Sequence, residues 1–482
     1  MTRKATLSEH LTRISHSELS RTFQDAIRIS RQLKERYLWI DSLCIVQDDS
    51  EDWRAEAARM PAIYGSATLT IAALGAENGT GGCYLEPGVD VFVDVDTGPV
   101  RVRFFQKPPA YWHKLYGDDK YQHDGYGAQP LRTRAWTLQE RFLSTRSIHY
   151  ANGIMLWECK TSKGSSLLPW GHPNPPDDFV PWPVMESMRE NSTENGTLAS
   201  RASWFSTIED YTSRFMTKET DKLPALSGVA AHFSMVMQGD EYHAGLFRRH
   251  LPAALLWRSL ESESNQSVHE ASHSVRMYSA IQPRRPMQYR GPSWSWAALD
   301  CAISYDSQRL DNKGEQRRES GAPRRQGVIQ VLDVQTQQSS SDRFGLVERS
   351  HLRVLGRTTT VQIRWARWDQ SYSGKGWRLL TTDDGTAVGI VYPDIINELQ
   401  FTKMLVCVEV RDEPFWTETT MPESIFGEQE SKVEAWEEMD LVMGLALLPV
   451  TGHDRHFQRK GLVRWLKRDL FTDAEMIELT IV

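Results

Sequence analysis

Residues 22–33 carry apolar positions at helical spacing, with Phe23, Ala26, Ile27, Ser30 and Leu33 on one face. Thr22, followed three residues later by Asp25, marks the start of that helix. Tyr37-Leu-Trp-Ile40 then predicts a buried strand, because every residue is β-prone and apolar, and it stops at Asp41. Asp48 to Asp52 supply an N-cap and early acidic residues for a second helix, whose Trp53, Ala57, Met60 and Tyr64 fall on one core-facing stripe. Pro61 is expected to kink or shorten its last turn. Thr68 to Leu74 is a second apolar strand, so the order helix, strand, helix, strand predicts an α/β layer with parallel strands. Ligands in such sheets bind beyond the carboxyl ends of the strands, which directs attention to Asp41, Cys44 and Gln47.

Further along, Arg134 to Arg141 forms a short helical candidate. Ser147 to Tyr150 and Ile154 to Glu158 flank Asn152-Gly153, the signal of a tight hairpin. Glu77 to Gly82 is a glycine-rich loop and 107–129 a polar, Tyr-rich insertion. The pattern divides the chain into an α/β unit over 1–160, a Pro/Ser/Asn-rich connection over 161–200, a helical segment over 201–290 and a β-rich module over 291–482. Ser206 to Phe215 and Leu223 to Met237 carry the helical spacing. The runs 352–355, 360–365, 387–391, 404–410 and 441–448 carry the β pattern, as does the apolar end Ile477 to Val482. Trp294 and Trp296 read as one face of a strand that packs the β module against the rest. Two polar stretches, 306–326 and 335–342, read as mobile loops. There is no internal repeat.

Composition narrows the function. The chain has 482 residues, 40% of them hydrophobic, enough for more than one core. A net charge of −7 and a pI near 6.1 give no basic footprint for nucleic acid. Five dispersed cysteines, at 44, 83, 159, 301 and 407, with no C-x-x-C pair, argue for a reducing compartment and against a disulfide framework or zinc site. Without a long apolar run or a signal-peptide core, the expectation is a soluble, cytoplasmic protein with no membrane span.

Tyr37 to Gln47 and Arg134-Ala-Trp-Thr-Leu-Gln-Glu-Arg141 closely resemble blocks of the fungal heterokaryon incompatibility (HET) domain. Ser20 to Ile27 resembles it too, as do Trp53, Met60, Ile63-Tyr64, Ala67 and Thr70 to Ala73. Asp221 to Ser227, Leu255 to Trp257 and Pro292 to Trp296 look like segments that often follow that domain. The resemblance implies non-self recognition and regulated cell death on hyphal fusion, through self-association of the HET domain or contact with another incompatibility protein. HET domains usually open on a strand with an Ala-Leu-Ser-Tyr-x-Trp-Gly-like block. Here Ala5 to Ser8 and the segment through Leu19 look like the connection after it, so the expectation is a sheet without that strand, with exposed edges.

The HET domain is thought to be a distant relative of the TIR domain, so the fold implied is an incomplete TIR-like or flavodoxin-like parallel sheet unit. Trp136 and Glu140, four apart, share a helix face and look like the TIR pattern whose glutamate carries NAD hydrolysis. On that resemblance Glu140 would stabilise an oxocarbenium-like transition state, Trp136 would line the pocket, and Asp41 and Gln47 would contact ribose hydroxyls or hold the loop. NAD would then be a substrate; no cofactor is required and no metal is implied. Alternatively, Glu140 is a structural carboxylate paired with Arg134, Arg141 or Arg146, and Asp41 caps its turn. A Cys44–His149–Asp41 triad and a phosphate cradle at Gly79 to Gly82 have no supporting spacing. An inactive or truncated paralogue is the remaining alternative.

Overall fold

A computed structural model describes residues 1–84, 89–95, 98–104, 129–151, 154–166, 194–260, 282–305, 329–339, 342–364, 378–399, 402–412 and 441–482. Most of the insertion expected over 107–129 and of the connection over 161–200, and all of 306–326, lie outside them. Helix α1 (Leu7–Thr12) is followed by α2 (Arg21–Gln32), whose inner face buries Asp25, Ala26, Ile29 and Ser30. Asp25 is an anchor rather than part of the helix start: its Oδ2 accepts from the backbone N–H of Cys83 at 3.0 Å, while Ser20 occupies the N-cap position.

Tyr37 to Ile40 does not form the expected strand. The segment is extended at Ile40 (φ −135°, ψ 122°) but joins no ladder among the described residues, and Tyr37 is 83% exposed. β propensity yields a strand only where a neighbouring strand supplies hydrogen-bond partners, and none lies alongside. The segment turns instead into the single-turn helix α3 (Asp41–Cys44). Helix α4 (Ser50–Ser66) follows, capped by Asp49, whose side chain accepts from the N–H groups of Glu51 and Asp52. It continues past Pro61 to Ser66.

Strand β1 (Thr70–Ala72) is shorter than the expected Thr68 to Leu74. Strands β2 (Val89–Val95) and β3 (Gly98–Phe104) form a separate antiparallel pair. Helix α5 (Trp136–Leu143) precedes β4 (Arg146–Ala151), β5 (Ile154–Cys159) and β6 (Lys163–Ser165). Their four-stranded sheet has the order β1-β4-β5-β6. Only β1 and β4 are parallel, with Ile71 opposite Ile148, so the sheet is mixed, and the parallel pairing expected between the Tyr37 and Thr68 segments is absent among the described residues. The predicted hairpin is β4–β5, antiparallel with Ala151 opposite Ile154.

The middle segment contains α6 (Glu194–Thr212) and α7 (Ser227–Val236), the latter entered through a 3-10 turn at Pro224–Leu226. Strands β7 (Tyr242–His243) and β8 (Leu246–Phe247) make a small hairpin through Ala244 and Gly245, both at positive φ. A side chain at Gly245 would come within 2.7 Å of the Trp296 indole, so only glycine fits that turn. Trp204, Trp257, Trp294 and Trp296 are fully buried around it. Trp296 begins a 3-10 turn, so the two motif tryptophans lie on no strand, yet they do pack the C-terminal module against the rest.

The short pair β9 (Arg258–Ser259) and β10 (Ile303–Ser304) leads to a C-terminal sheet. It contains β11 (Gln330–Gln338), β12 (Val347–Arg364), β13 (Arg378–Thr381), β14 (Ala387–Pro393), β15 (Met404–Asp412), β16 (Leu441–Pro449), β17 (His456–Lys467) and β18 (Met476–Ile481). Its order β12-β13-β14-β17-β16-β15 closes into a ring when β15 pairs back on the long β12, with β11 outside that ring on β12. Strand residues alternate between two cores. Cys407, Val442 and Ala446 face the enclosed side with Val361, Leu405 and Val463, while Val408, Met443 and Leu445 join the tryptophan core. Gln335 to Gln338, expected in a loop, pair with β12 instead. Among the described residues no helix is long and apolar enough to cross a membrane.

Candidate functional site

Helix α5 carries Trp136 and Glu140, and its placement depends on residues far downstream. The N–H of Ala135 donates to the carbonyl of Phe215 at 3.0 Å, and the N–H of Phe215 donates to that of Thr133 at 2.6 Å. Leu138 and Phe142 are buried, Phe142 stacking on Phe233 of α7. Gln139 is fully buried, and its Oε1 accepts from the N–H of Gly228 at 2.7 Å. A Cβ at Gly228 would stand 2.6 Å from Pro61 and 2.8 Å from that amide oxygen, so the close approach of α4, α5 and α7 requires glycine here. With these positions turned inward, Glu140 and Trp136 face α3 and α4.

Glu140 is partly buried, and loss of hydration pushes its carboxyl up to about 7; the nearby negative charge of Asp41 adds to that shift. Arg134, the Tyr64 hydroxyl and Arg214 oppose it, in that order. Burial in turn raises the Tyr64 phenol well above its ordinary value, with Glu140 and Asp41 contributing. Asp41, Tyr64, Arg134 and Glu140 therefore share one electrostatic environment.

The structural pairing weighed for Glu140 does not form among the described residues. Arg141 makes a bidentate contact with Glu158 at 2.7 and 3.0 Å, and Arg214 binds Asp210 at 2.8 and 3.2 Å. Glu158, which also holds His149 at 2.9 Å, is kept far below the carboxylate range by those partners despite its burial. The contrast is instructive: the partners of Glu158 outweigh its desolvation, whereas those of Glu140 offset its desolvation only in part.

Two edge-to-face aromatic pairs include Tyr64 and Trp136. Trp39 meets Tyr64 edge to face at 5.8 Å, and Trp53 meets Trp136 at 6.1 Å. Trp136 Nε1 donates to Asp221 Oδ2 at 3.1 Å, which fixes the indole, and burial raises the Asp221 carboxyl. The Lys218 ammonium lies 5.4 Å from the Trp53 ring.

Asp41 is exposed at the start of α3, where its Oδ1 accepts from the N–H of Ser42 at 2.6 Å. Gln47 Nε2 donates to the carbonyls of Asp41 and Ile45, at 3.2 and 3.1 Å, so this side chain braces the turn that presents Asp41. Cys44 is exposed and His149 is buried against Glu158; the Cys44–His149–Asp41 triad is not assembled. Thr80, Gly81, Gly82 and Cys83 donate their N–H groups to Asn78, Thr22 and Asp25, leaving no phosphate cradle in that loop. No cluster of three or more metal-ligating side chains occurs among the described residues.

Sequence reasoning singled out Glu140, Trp136, Asp41 and Gln47. It assigned Tyr64 and Trp53 to a core stripe, and used Arg134 only as an ion-pair partner and Trp39 only as part of a strand. The spacing of the stripe held the signal: Trp53, Met60 and Tyr64 share a face, but only Met60 on α4 is fully buried.

Residues 2–140 match the family model described as Heterokaryon incompatibility protein (HET). The N-terminal residues thus carry the pattern of a HET domain, and the match ends on Glu140. No curated protein and no solved structure matches the chain.

Proposed function

We propose that this HET-domain protein acts in fungal non-self recognition and regulated cell death, in the cytoplasm, and that its Glu140 face hydrolyses NAD as a TIR-like relative would. The observation that carries the reading is the Glu140 carboxyl itself: desolvated, without an ion-pair partner among the described residues, and hydrogen-bonded to the Tyr64 hydroxyl. In the reaction the bond between ribose C1′ and the pyridinium nitrogen breaks. Its electron pair neutralises nicotinamide, so the leaving group needs no proton. Water adds to C1′ and releases one. Ionised Glu140 stabilises the positive charge that develops on the ribose, and the incoming pyridinium cation favours that ionised form. Trp136 and Tyr64 supply ring edges against the departing base, while Gln47 holds the turn bearing Asp41.

Purified protein should consume NAD with a rate that rises with pH through about 7 as Glu140 ionises. Glu140→Gln should abolish turnover in a protein that still unfolds cooperatively, at a melting temperature no lower than that of the wild type. A wild-type protein that leaves NAD intact would remove the hydrolase reading, and unchanged NAD consumption by the variant would remove Glu140 from it.

A second reading, assembly through the HET domain, is favoured by the exposed, unladdered Tyr37 segment. Toxicity that survives Glu140→Gln in cells would select it.

A further inference from the structure

The outward side of α2 gathers cations that the sequence keeps apart. Arg28 and Arg31 are three residues apart and exposed, so they project from one side of the helix, opposite the buried Ala26, Ile29 and Ser30. The chain leaving the helix adds Lys34 and Arg36, both exposed, and the N–H of Lys34 donates to the Arg31 carbonyl at 3.1 Å, which holds that end of the cluster together. None of the four forms an ion pair among the described residues. Asp25 is turned inward to the N–H of Cys83, and Glu35 is the one carboxylate between residues 26 and 40. Lys34 stands at φ 61°, a left-handed position at a helix end that ordinarily falls to glycine, so a cation is kept there against a steric cost.

Two exposed phenols accompany these cations. The Arg36 guanidinium lies 5.5 Å from the centre of the Tyr37 ring, and that of Arg28 lies 6.0 Å from the Tyr84 ring. The rings are 83% and 38% exposed, and packing over an open ring leaves a guanidinium its full charge. Charge is also segregated along the chain. Eight Lys and Arg against four Asp and Glu give residues 1–40 a charge of +4 in a chain whose total is −7, so the remainder carries −11.

We propose that this face of α2 docks on an anionic bilayer surface, with Arg28, Arg31, Lys34 and Arg36 meeting lipid phosphates and Tyr37 and Tyr84 settling at the headgroup level. Guanidinium and ammonium groups suit phosphate oxygens, and tyrosine rings favour the boundary between water and hydrocarbon. The cations line an exposed helix side rather than a pocket, which fits an extended charged surface. Such a surface repels the acidic remainder of the chain and so turns this end toward itself. The docking is peripheral, and it does not depend on the chemistry at Glu140.

The test is flotation of the full chain with phosphatidylcholine vesicles, with or without about one-third phosphatidylserine. The protein should float with the anionic vesicles, less so as salt is raised, and not with phosphatidylcholine alone. Arg31→Ala with Lys34→Gly should weaken partitioning about 25-fold, at about fivefold per cation. Glycine suits the left-handed backbone at 34, so this variant should melt as wild type. Tyr37→Ala should weaken partitioning by a smaller factor. Arg54→Ala with Arg59→Ala, both exposed on α4, removes the same charge elsewhere and should stay within about twofold of wild type. Wild-type protein that ignores anionic vesicles at low salt, or an α2 pair no weaker than the α4 pair, overturns the docking. An α2 pair that retains vesicle binding but loses self-association in sedimentation assigns the face to a second copy and overturns it too.

Discussion

The N-terminal HET unit and the C-terminal sheet are built to different standards. In the HET unit, the 17-residue helix α4 buries only Met60, and β1 is three residues long and half-exposed. In the C-terminal sheet, seven consecutive residues of β16, Leu441 to Leu447, are buried, and Arg459 is sealed with Asp394 beneath Trp257. One region spends its residues on packing, and the other leaves aromatics and charges partly open around Glu140. Local stability follows the number of buried contacts, and here the closed sheet and the tryptophan core hold most of them.

The contrast breaks most visibly if the support is not the stable part. Asp394→Ala strands Arg459 in the interior and should cost about 3–5 kcal/mol, read as a large loss in urea midpoint. Little effect would mean that the sealed pair contributes nothing to the difference between regions. Glu140 gives the next largest effect, with opposite sign. A carboxyl whose folded pKa is raised from 4.5 to about 7 favours the folded state while protonated. Stability is therefore lost as pH rises through that interval. Glu140→Gln should accordingly stabilise the protein by about 2–3 kcal/mol at pH 8 and by little at pH 4. Equal melting temperatures for wild type and variant at both pH values would show that Glu140 is hydrated after all.

Gln139→Ala leaves the buried N–H of Gly228 unpaired and should cost about 1–3 kcal/mol, measurable by thermal unfolding. Arg134→Ala should move the rising limb of the pH–rate profile upward, since the guanidinium holds the Glu140 carboxyl down. A profile at the wild-type position would show that the two groups do not interact. Tyr37→Ser, on the exposed segment, should change stability by less than about 0.5 kcal/mol.

Much of this arrangement was legible from local pattern. The Asp48 to Asp52 run marked the cap of α4, the hairpin flanking Asn152-Gly153 fell where expected, and the apolar runs of the C-terminal module are strands. Trp136 and Glu140 were found because helical spacing puts them on one face. What failed depended on distant partners. Tyr37 to Ile40 has the right residues for a strand and no strand beside it among the described residues. The two separate runs at 352–355 and 360–365 belong to one 18-residue strand, because β18 and β15 pair with its successive halves. Gln335 to Gln338 looked like a polar loop, but β12 offers them a ladder, and a ladder asks for backbone groups rather than apolar side chains. Tyr64 was assigned to the core because periodicity identifies a face without saying whether anything covers it.

The reciprocal backbone bonds between Thr133–Ala135 and Phe215, with the Gln139 contact to Gly228, also govern when the site comes into being. During synthesis the ribosome delivers Glu140 nearly ninety positions before Gly228. A nascent chain that has just released its HET unit holds the glutamate without the downstream residues that seat its helix. Any chemistry that needs that helix seated can begin only once Gly228 has left the ribosome and folded against it.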